Sequence, residues 1–189
     1  MTPFEEARPD DLVETWRRAQ SGDLVAFAAI MEACERRVLR VALRLLNNPH
    51  DAQDAAQEVF LRLYKNLKRL DSLRGCEPWL FRVTVNVCRD IARGRARSVA
   101  LEDTPDPAAA GPDAFDDAQL AEQRRLIRRG LGRLGEKERA ALVLRDVEGL
   151  STREVAAILG SSEATVRSQI SSARLKLREF TSRLWRRSS

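Results

Sequence analysis

Residues 151–178 read STREVAAILGSSEATVRSQISSARLKLR, and this stretch decides the fold. Ser151 followed three residues later by Glu154 is a capping box. The serine hydroxyl accepts from the backbone at the helix start, and the glutamate reaches back to the serine N–H. The helix so opened is short, with Val155, Ala156 and Leu159 inward, and Gly160 supplies the turn at its C-terminus. A longer helix is expected from about residue 162 to 184. Along it Val166, Ile170, Ala173 and Leu177 form an apolar stripe, while Glu163, Arg167, Ser171, Arg174 and Arg178 form a polar one. A short helix, a glycine turn and a two-faced longer helix make the helix-turn-helix layout, whose second helix packs by one face and enters the major groove by the other. Ser162 and Thr165 stand at the helix start, where hydroxyls and free N–H groups meet phosphate oxygens. A helical hairpin with a merely solvated charged face has the same period, but it requires neither the cap nor the glycine turn.

Moving toward the N-terminus, two further helices are expected over about 117–133 and 136–148, ending before Gly135 and at Gly149. Residues 98–119, SVALEDTPDPAAAGPDAFDDAQ, carry no sustained apolar period, and Pro105, Pro107, Gly111 and Pro112 would break a helix. The residues before this segment are helical again. Leu24, Phe27, Met31, Cys34, Val38, Val41 and Leu45 mark one long amphipathic helix, closed by Asn47-Asn48-Pro49. A second helix follows Asp51, with Ala56, Val59, Phe60, Leu63, Tyr64 and Leu67 inward. After a polar loop over 71–78, a third opens near Pro78 and carries Leu80, Val83, Val87 and Ile91. A short helix around residues 11–19 precedes them. No strand pattern occurs. The fold class is all-α: two small helical domains, 1–97 and 119–189, joined by an acidic flexible linker, 98–118. Seven of the ten aromatic residues lie within 1–81, which gives the first domain the larger core.

Charge follows the same division. The 189 residues carry 33 Lys+Arg and 28 Asp+Glu, a net +5. Residues 1–97 are net +3, residues 98–123 are net −7 without a single basic residue, and residues 124–189 are net +9. Two basic modules around an acidic strip point to a polyanionic partner, nucleic acid first. Other classes are disfavoured. No apolar run is long enough to span a bilayer, and MTPFEEARPDD lacks the apolar segment of a secretory signal. Three scattered cysteines, Cys34, Cys76 and Cys88, suit a reducing cytoplasm better than a disulfide framework. One histidine, no Gly-rich phosphate loop and no nucleophile elbow leave enzyme chemistry little to work with. No catalytic residue, metal or cofactor is expected.

At these motifs the chain resembles a family. Residues 131–178 resemble the promoter-reading region 4 of bacterial sigma factors. Residues 24–97 resemble region 2, notably DAQDAAQEVFLRLYKNL (51–67) and WLFRVTVNVCRD (79–90). Having only these two regions and a linker, the chain is similar to the extracytoplasmic-function (ECF) group. The resemblance implies that Asp51, Asp54, Gln57 and Glu58 dock on the clamp helices of the RNA polymerase largest subunit. Carboxylates and an amide on one exposed helix face suit a partner helix presenting Arg. The resemblance also implies that Trp79, Arg82, Asn86 and Asp90 line the site that opens the proximal promoter element, where aromatic stacking beside a basic groove holds a single strand, and Arg93 at the basic helix end reads as a contact to the duplex backbone. In region 4 it implies distal-element contacts by Arg145, Arg167, Ser168, Ser171 and Ser172. Ser162, Thr165 and Arg174 are added by the helix-turn-helix reading. Arg167 is expected as the main reader, since an Arg–guanine pair discriminates by about 1–3 kcal/mol. The sequence departs from the common family pattern at Cys76, where Phe is frequent, and at Gly135, where Pro is frequent.

The partners implied are core RNA polymerase (clamp helices, and the flap through region 4), promoter DNA and an anti-sigma factor, with no direct membrane insertion and a cytoplasmic location. Two rivals remain open at the level of sequence: a helix-turn-helix regulator acting without replacing the sigma subunit, and a polymerase-binding inhibitor.

Overall fold

A computed structural model describes residues 9–70, 76–99 and 118–188, and among these it is helical with no strand. The expected linker therefore lies mostly outside the described residues, as does most of the 71–78 loop.

Helix α1 is Pro9–Gln20, α2 Leu24–Leu46 and α3 Pro49–Asn66, the last followed by a single 3-10 turn, Leu67–Arg69; α4 is Glu77–Val99. Local chemistry fixes their ends. Asp23 caps α2 by accepting from the N–H groups of Val25 and Ala26, which hold its carboxyl below the usual range together with Arg18. Asn47 closes α2 in the left-handed conformation at φ 59°. Asn48 then caps α3 through His50 N–H, with Pro49 in the first turn, so α3 starts two residues before the position read from Asp51. Along α2 to α4, Ile30, Cys34, Val38, Val59, Phe60, Leu63, Leu80 and Val87 form one core. Leu63 and Val59 are fully buried, and cutting such a leucine back to Ala costs about 2–5 kcal/mol. Two residues of the expected apolar stripes depart from it. Leu24 is 64% exposed, being the first residue of its helix, and Tyr64 is 55% exposed, touching Phe27 only by its ring edge.

The second half comprises α5 (Ala118–Gly132), α6 (Glu136–Leu142), a π turn (Val143–Val147), α7 (Thr152–Leu159) and α8 (Glu163–Ser188). The single helix expected over 136–148 is thus two pieces. Glu148 N–H bonds Val143 O and Leu150 N–H bonds Leu144 O, widening the last turn. Val143 and Leu144 are thereby fully buried while Asp146 stays exposed. The capping box is formed as read, with Ser151 Oγ accepting from Glu154 N–H at 3.2 Å and Glu154 accepting from Ser151 N–H at 2.7 Å. Gly160 ends α7 at φ 62°, a conformation unfavourable for side-chain-bearing residues by roughly 1–2 kcal/mol. α5 crosses α8 closely at Gly130, where an added Cβ would meet Leu177 Cδ2 at 3.1 Å.

The two halves share apolar packing. Val41 of α2 and Phe81 and Val85 of α4 belong to the core formed by Leu131, Leu134, Leu144, Val155, Val166 and Ile170 of the second half. Polar contacts cross the same boundary, including Arg139 to Leu45 O at 2.7 Å.

Candidate polymerase and promoter interfaces

Helix α3 carries the first candidate surface. Its core face is filled by Ala52, Ala55, Val59 and Leu63, so the side chains between them must point outward. Asp54 and Gln57 are exposed. Asp51 is paired with Arg95 at 3.0 Å and Glu58 with Arg62 at 2.7 Å. The four expected residues therefore lie on one helix, two exposed and two paired with cations. Leu61, 54% exposed, and Tyr64 continue this strip toward the C-terminus and were not among the expected contacts. Leu61 lies out of phase with the core stripe, which is a signal in the sequence, whereas Tyr64 was read as part of that stripe.

Helix α4 carries the second surface. Arg82, Asn86, Asp90 and Arg93 are exposed, and Trp79 is half-buried against the first core. The intervening Thr84, fully buried, donates to Leu80 O, which satisfies its hydroxyl. Arg82 Nη2 donates to Ala157 O, and Arg89 Nε to Glu136 Oε1.

The third surface belongs to α7 and α8. Arg145, Thr152, Arg167, Ser171, Arg174 and Arg178 line a cleft of about 600 Å³ along the outer face of the helix-turn-helix. Four expected residues meet here; Thr152 and Arg178 join them. Ser162 Oγ accepts from Thr165 N–H at 3.1 Å and lies 2.9 Å from the Thr165 hydroxyl, so both serve the helix start. The arginines are preset by carboxylates: Arg167 to Glu163 at 2.7 Å, and Arg174 to both oxygens of Asp146 at 2.9 and 2.7 Å. The Asp146 pairing raises the Arg174 pKa, so that charge is permanent. Exposed pairs of this kind are worth under about 1 kcal/mol each and yield readily to phosphate. Ser168 is exposed outside that lining, whereas Ser172 turns away and donates to Glu138 Oε1 at 2.7 Å. Glu138 also receives Lys176 at 2.7 and 2.8 Å and the Gly135 N–H at 3.0 Å. Lys176, then Ser172, then Gly135 hold its carboxyl down at about 2. A proline at 135 would lack the N–H that Glu138 accepts.

The three cysteines are free and buried. Burial pushes the Cys88 thiol up to about 12, and the Cys76 thiol together with burial pushes Cys34 up as well, away from nucleophilic thiolate. Among the described residues, no group of three or more His, Cys, Asp or Glu side chains could hold a metal, and no helix is long and apolar enough to cross a membrane.

Comparison with known proteins agrees with this arrangement. The Sigma-70 region 2 family matches residues 30–98, and the Sigma-70 region 4 family matches residues 124–177. The chain is 38% identical over 150 residues to the ECF RNA polymerase sigma factor SigE of Mycolicibacterium smegmatis, covering 76% of this chain and 57% of that protein. It thus spans little more than half the length of that relative. It is 33% identical over 159 residues to the ECF RNA polymerase sigma factor SigM of Mycobacterium tuberculosis, covering 83% of this chain and 78% of that one. Among solved structures, that of CnrH in complex with the cytosolic domain of CnrY matches with a TM-score of 0.68 at 26% identity, covering 90% of this chain and 97% of CnrH. The chain belongs to the ECF group of the RNA polymerase sigma factor family.

Proposed function

We propose that this chain binds core RNA polymerase and directs it to promoters, recognising two DNA elements and assisting strand opening while the polymerase carries out the chemistry. The observation that carries this reading is the pairing on one chain of an exposed acidic–apolar strip on α3 with an arginine-lined helix-turn-helix cleft. The strip suits a partner helix presenting Arg: Asp54, Gln57 and Glu58 supply charge and hydrogen bonds, and Leu61 and Tyr64 supply the apolar anchors that dominate such contacts. The cleft suits duplex DNA. Arg167 reads bases at the start of α8, Ser168 and Ser171 leave room beside it, and Arg145, Arg174 and Arg178 meet phosphates. Ser162 and Thr165 orient the helix start. On α4, Trp79, Asn86 and Asp90 face the melted strand, with Arg82 and Arg93 meeting its backbone. Region 4 also meets the polymerase flap.

An anti-sigma partner is part of this reading, as CnrH has a protein partner in the cytosolic domain of CnrY, and the chain acts where the polymerase is, in the cytoplasm. Retention of the purified chain on core polymerase, followed by promoter-specific run-off transcription, tests the reading. A dimer that binds a palindrome without polymerase would contradict it in favour of an independent helix-turn-helix regulator.

A further inference from the structure

Leu175 is a large apolar side chain standing among arginines. With Arg145, Arg167, Arg174 and Arg178 it lines the cleft of about 600 Å³ on the outer face of the helix-turn-helix. Its place on α8 keeps it out of the core. Ala173 and Leu177, two positions away on either side, pack into the core of the second half. Two residues of helix turn the chain by about 200°, so Leu175 points almost directly away from that packed face. Ala164, Ser168 and Ser171 are exposed on the same outward ridge, at the i, i+4, i+7 and i+11 spacing that ends in Leu175. Their side chains are short. A helix with such a ridge can approach the floor of a groove closely, and Leu175 projects furthest from the ridge. The flanking arginines do not smother it: Arg167 bonds Glu163, Arg174 bonds Asp146, and Leu175 stays 55% exposed.

A leucine facing DNA has a narrow choice of partner. It neither donates nor accepts a hydrogen bond, so against the polar edge of a purine or of cytosine it displaces water and leaves that edge unmet. The C5-methyl group of thymine is the apolar feature of the major groove, and burying a methyl against leucine is favourable. Position along the helix agrees. Arg167 and Leu175 are eight residues apart, roughly 12 Å along the axis, which matches a major groove about 12 Å wide. One passage of α8 through the groove therefore brings both side chains to base edges, with Arg174 and Arg178 on the flank beside the phosphates.

We propose that Leu175 determines part of the promoter specificity, packing on the methyl group of a thymine in the distal element and selecting a T·A pair distinct from the pair read by Arg167. This inference rests on the proposed assignment of the arginine cleft to duplex DNA.

The test selects duplexes from a randomised pool with the full chain bound to core polymerase, using wild type, Leu175→Ala and Arg167→Ala. Because Leu175 is exposed, its truncation leaves the fold in place, which circular dichroism checks. Leu175→Ala should lose the preference for one T·A pair of the distal element and keep the preference that Arg167→Ala removes. Deoxyuridine in place of that thymine deletes only the methyl group. It should weaken wild-type binding to the selected duplex about fourfold, the worth of one buried methyl, and leave binding by Leu175→Ala unchanged. Val25→Ala, a similar truncation at an exposed position on α2, should behave as wild type in both measurements. A wild type insensitive to deoxyuridine would overturn the proposal. So would equal weakening in wild type and Leu175→Ala, or a selected sequence that Leu175→Ala does not change; each leaves the cleft standing as the duplex site. If the polymerase complex enriches no duplex at all, the proposed function falls and this inference falls with it.

Discussion

The two candidate DNA surfaces differ in one respect that matters more than their sequences. The helix-turn-helix cleft is open, and its arginines are held by carboxylates of their own half: Glu163 for Arg167 and Asp146 for Arg174. On the α4 surface Asn86, Asp90 and Arg93 are exposed, but two arginines are engaged by the other half, Arg82 by Ala157 O and Arg89 by Glu136. Local pairs give way to phosphate without moving the backbone, whereas contacts between halves give way only if the halves separate. The same residue type is thus held by its own half in one place and by the other half in the other.

The largest effect should come from a surface that neither DNA site uses. Asp54→Arg with Glu58→Arg should weaken association with core polymerase by 100-fold or more, at least about 3 kcal/mol, in a co-purification or titration experiment. The circular dichroism spectrum and duplex binding should stay unchanged. Next, Arg167→Ala should weaken binding of the free chain to a selected distal-element duplex by about 1–3 kcal/mol and relax preference at one base pair. Arg82→Ala should leave that duplex binding unaltered yet slow strand opening in the polymerase complex, measured by permanganate reactivity. If both variants affect the free chain alike, the distinction between the two surfaces fails. A smaller change is expected at Arg178, where Ala should reduce the slope of log K against log salt by about 0.9, one phosphate contact.

The smallest effect concerns the framework behind the open cleft. Glu138 ionises near 2 in the fold, below its ordinary value of 4.5, because Lys176, Ser172 and the Gly135 N–H stabilise the carboxylate. A lowered carboxyl pKa contributes stability above the unfolded value and loses it as pH falls through the folded one. Stability should therefore decline progressively from about pH 4.5 to about pH 2, and Glu138→Gln should flatten that part of a pH-dependent denaturation series.

Much of this was legible in the chain itself. The capping box at Ser151 and Glu154, the turn at Gly160 and the stripe from Val166 to Leu177 are local signals, and local hydrogen bonds and core burial satisfy them in the fold. The strip on α3 was legible only in its charged half. Leu61 and Tyr64 carry apolar side chains that periodicity alone would send inward or discount, and only the filled core face of Ala52, Ala55, Val59 and Leu63 shows that they have no room there. No local signal marks the π turn after Leu142, where Val143 and Leu144 are buried. The ion-pair cluster that ties α2 and α4 to the second half was illegible because it is tertiary. Arg37, Glu77 and Glu148 are separated by 40 and 71 positions, and nothing in their local sequence joins them. The departure of Ser172 from the DNA face has the same origin, since Glu138, which claims it, lies 34 residues away.

The central claim, that this chain gives polymerase its choice of promoter, is most directly tested by transcription in vitro. Core polymerase, fragmented genomic DNA of the source organism and the purified chain are combined, and transcript 5′ ends are sequenced with and without the chain. The account predicts a small set of start sites that appear only when the chain is present, share two upstream sequence elements, and are lost with Asp54→Arg/Glu58→Arg. The same start sites with and without the chain, or none at all despite tight binding to core polymerase, would contradict it.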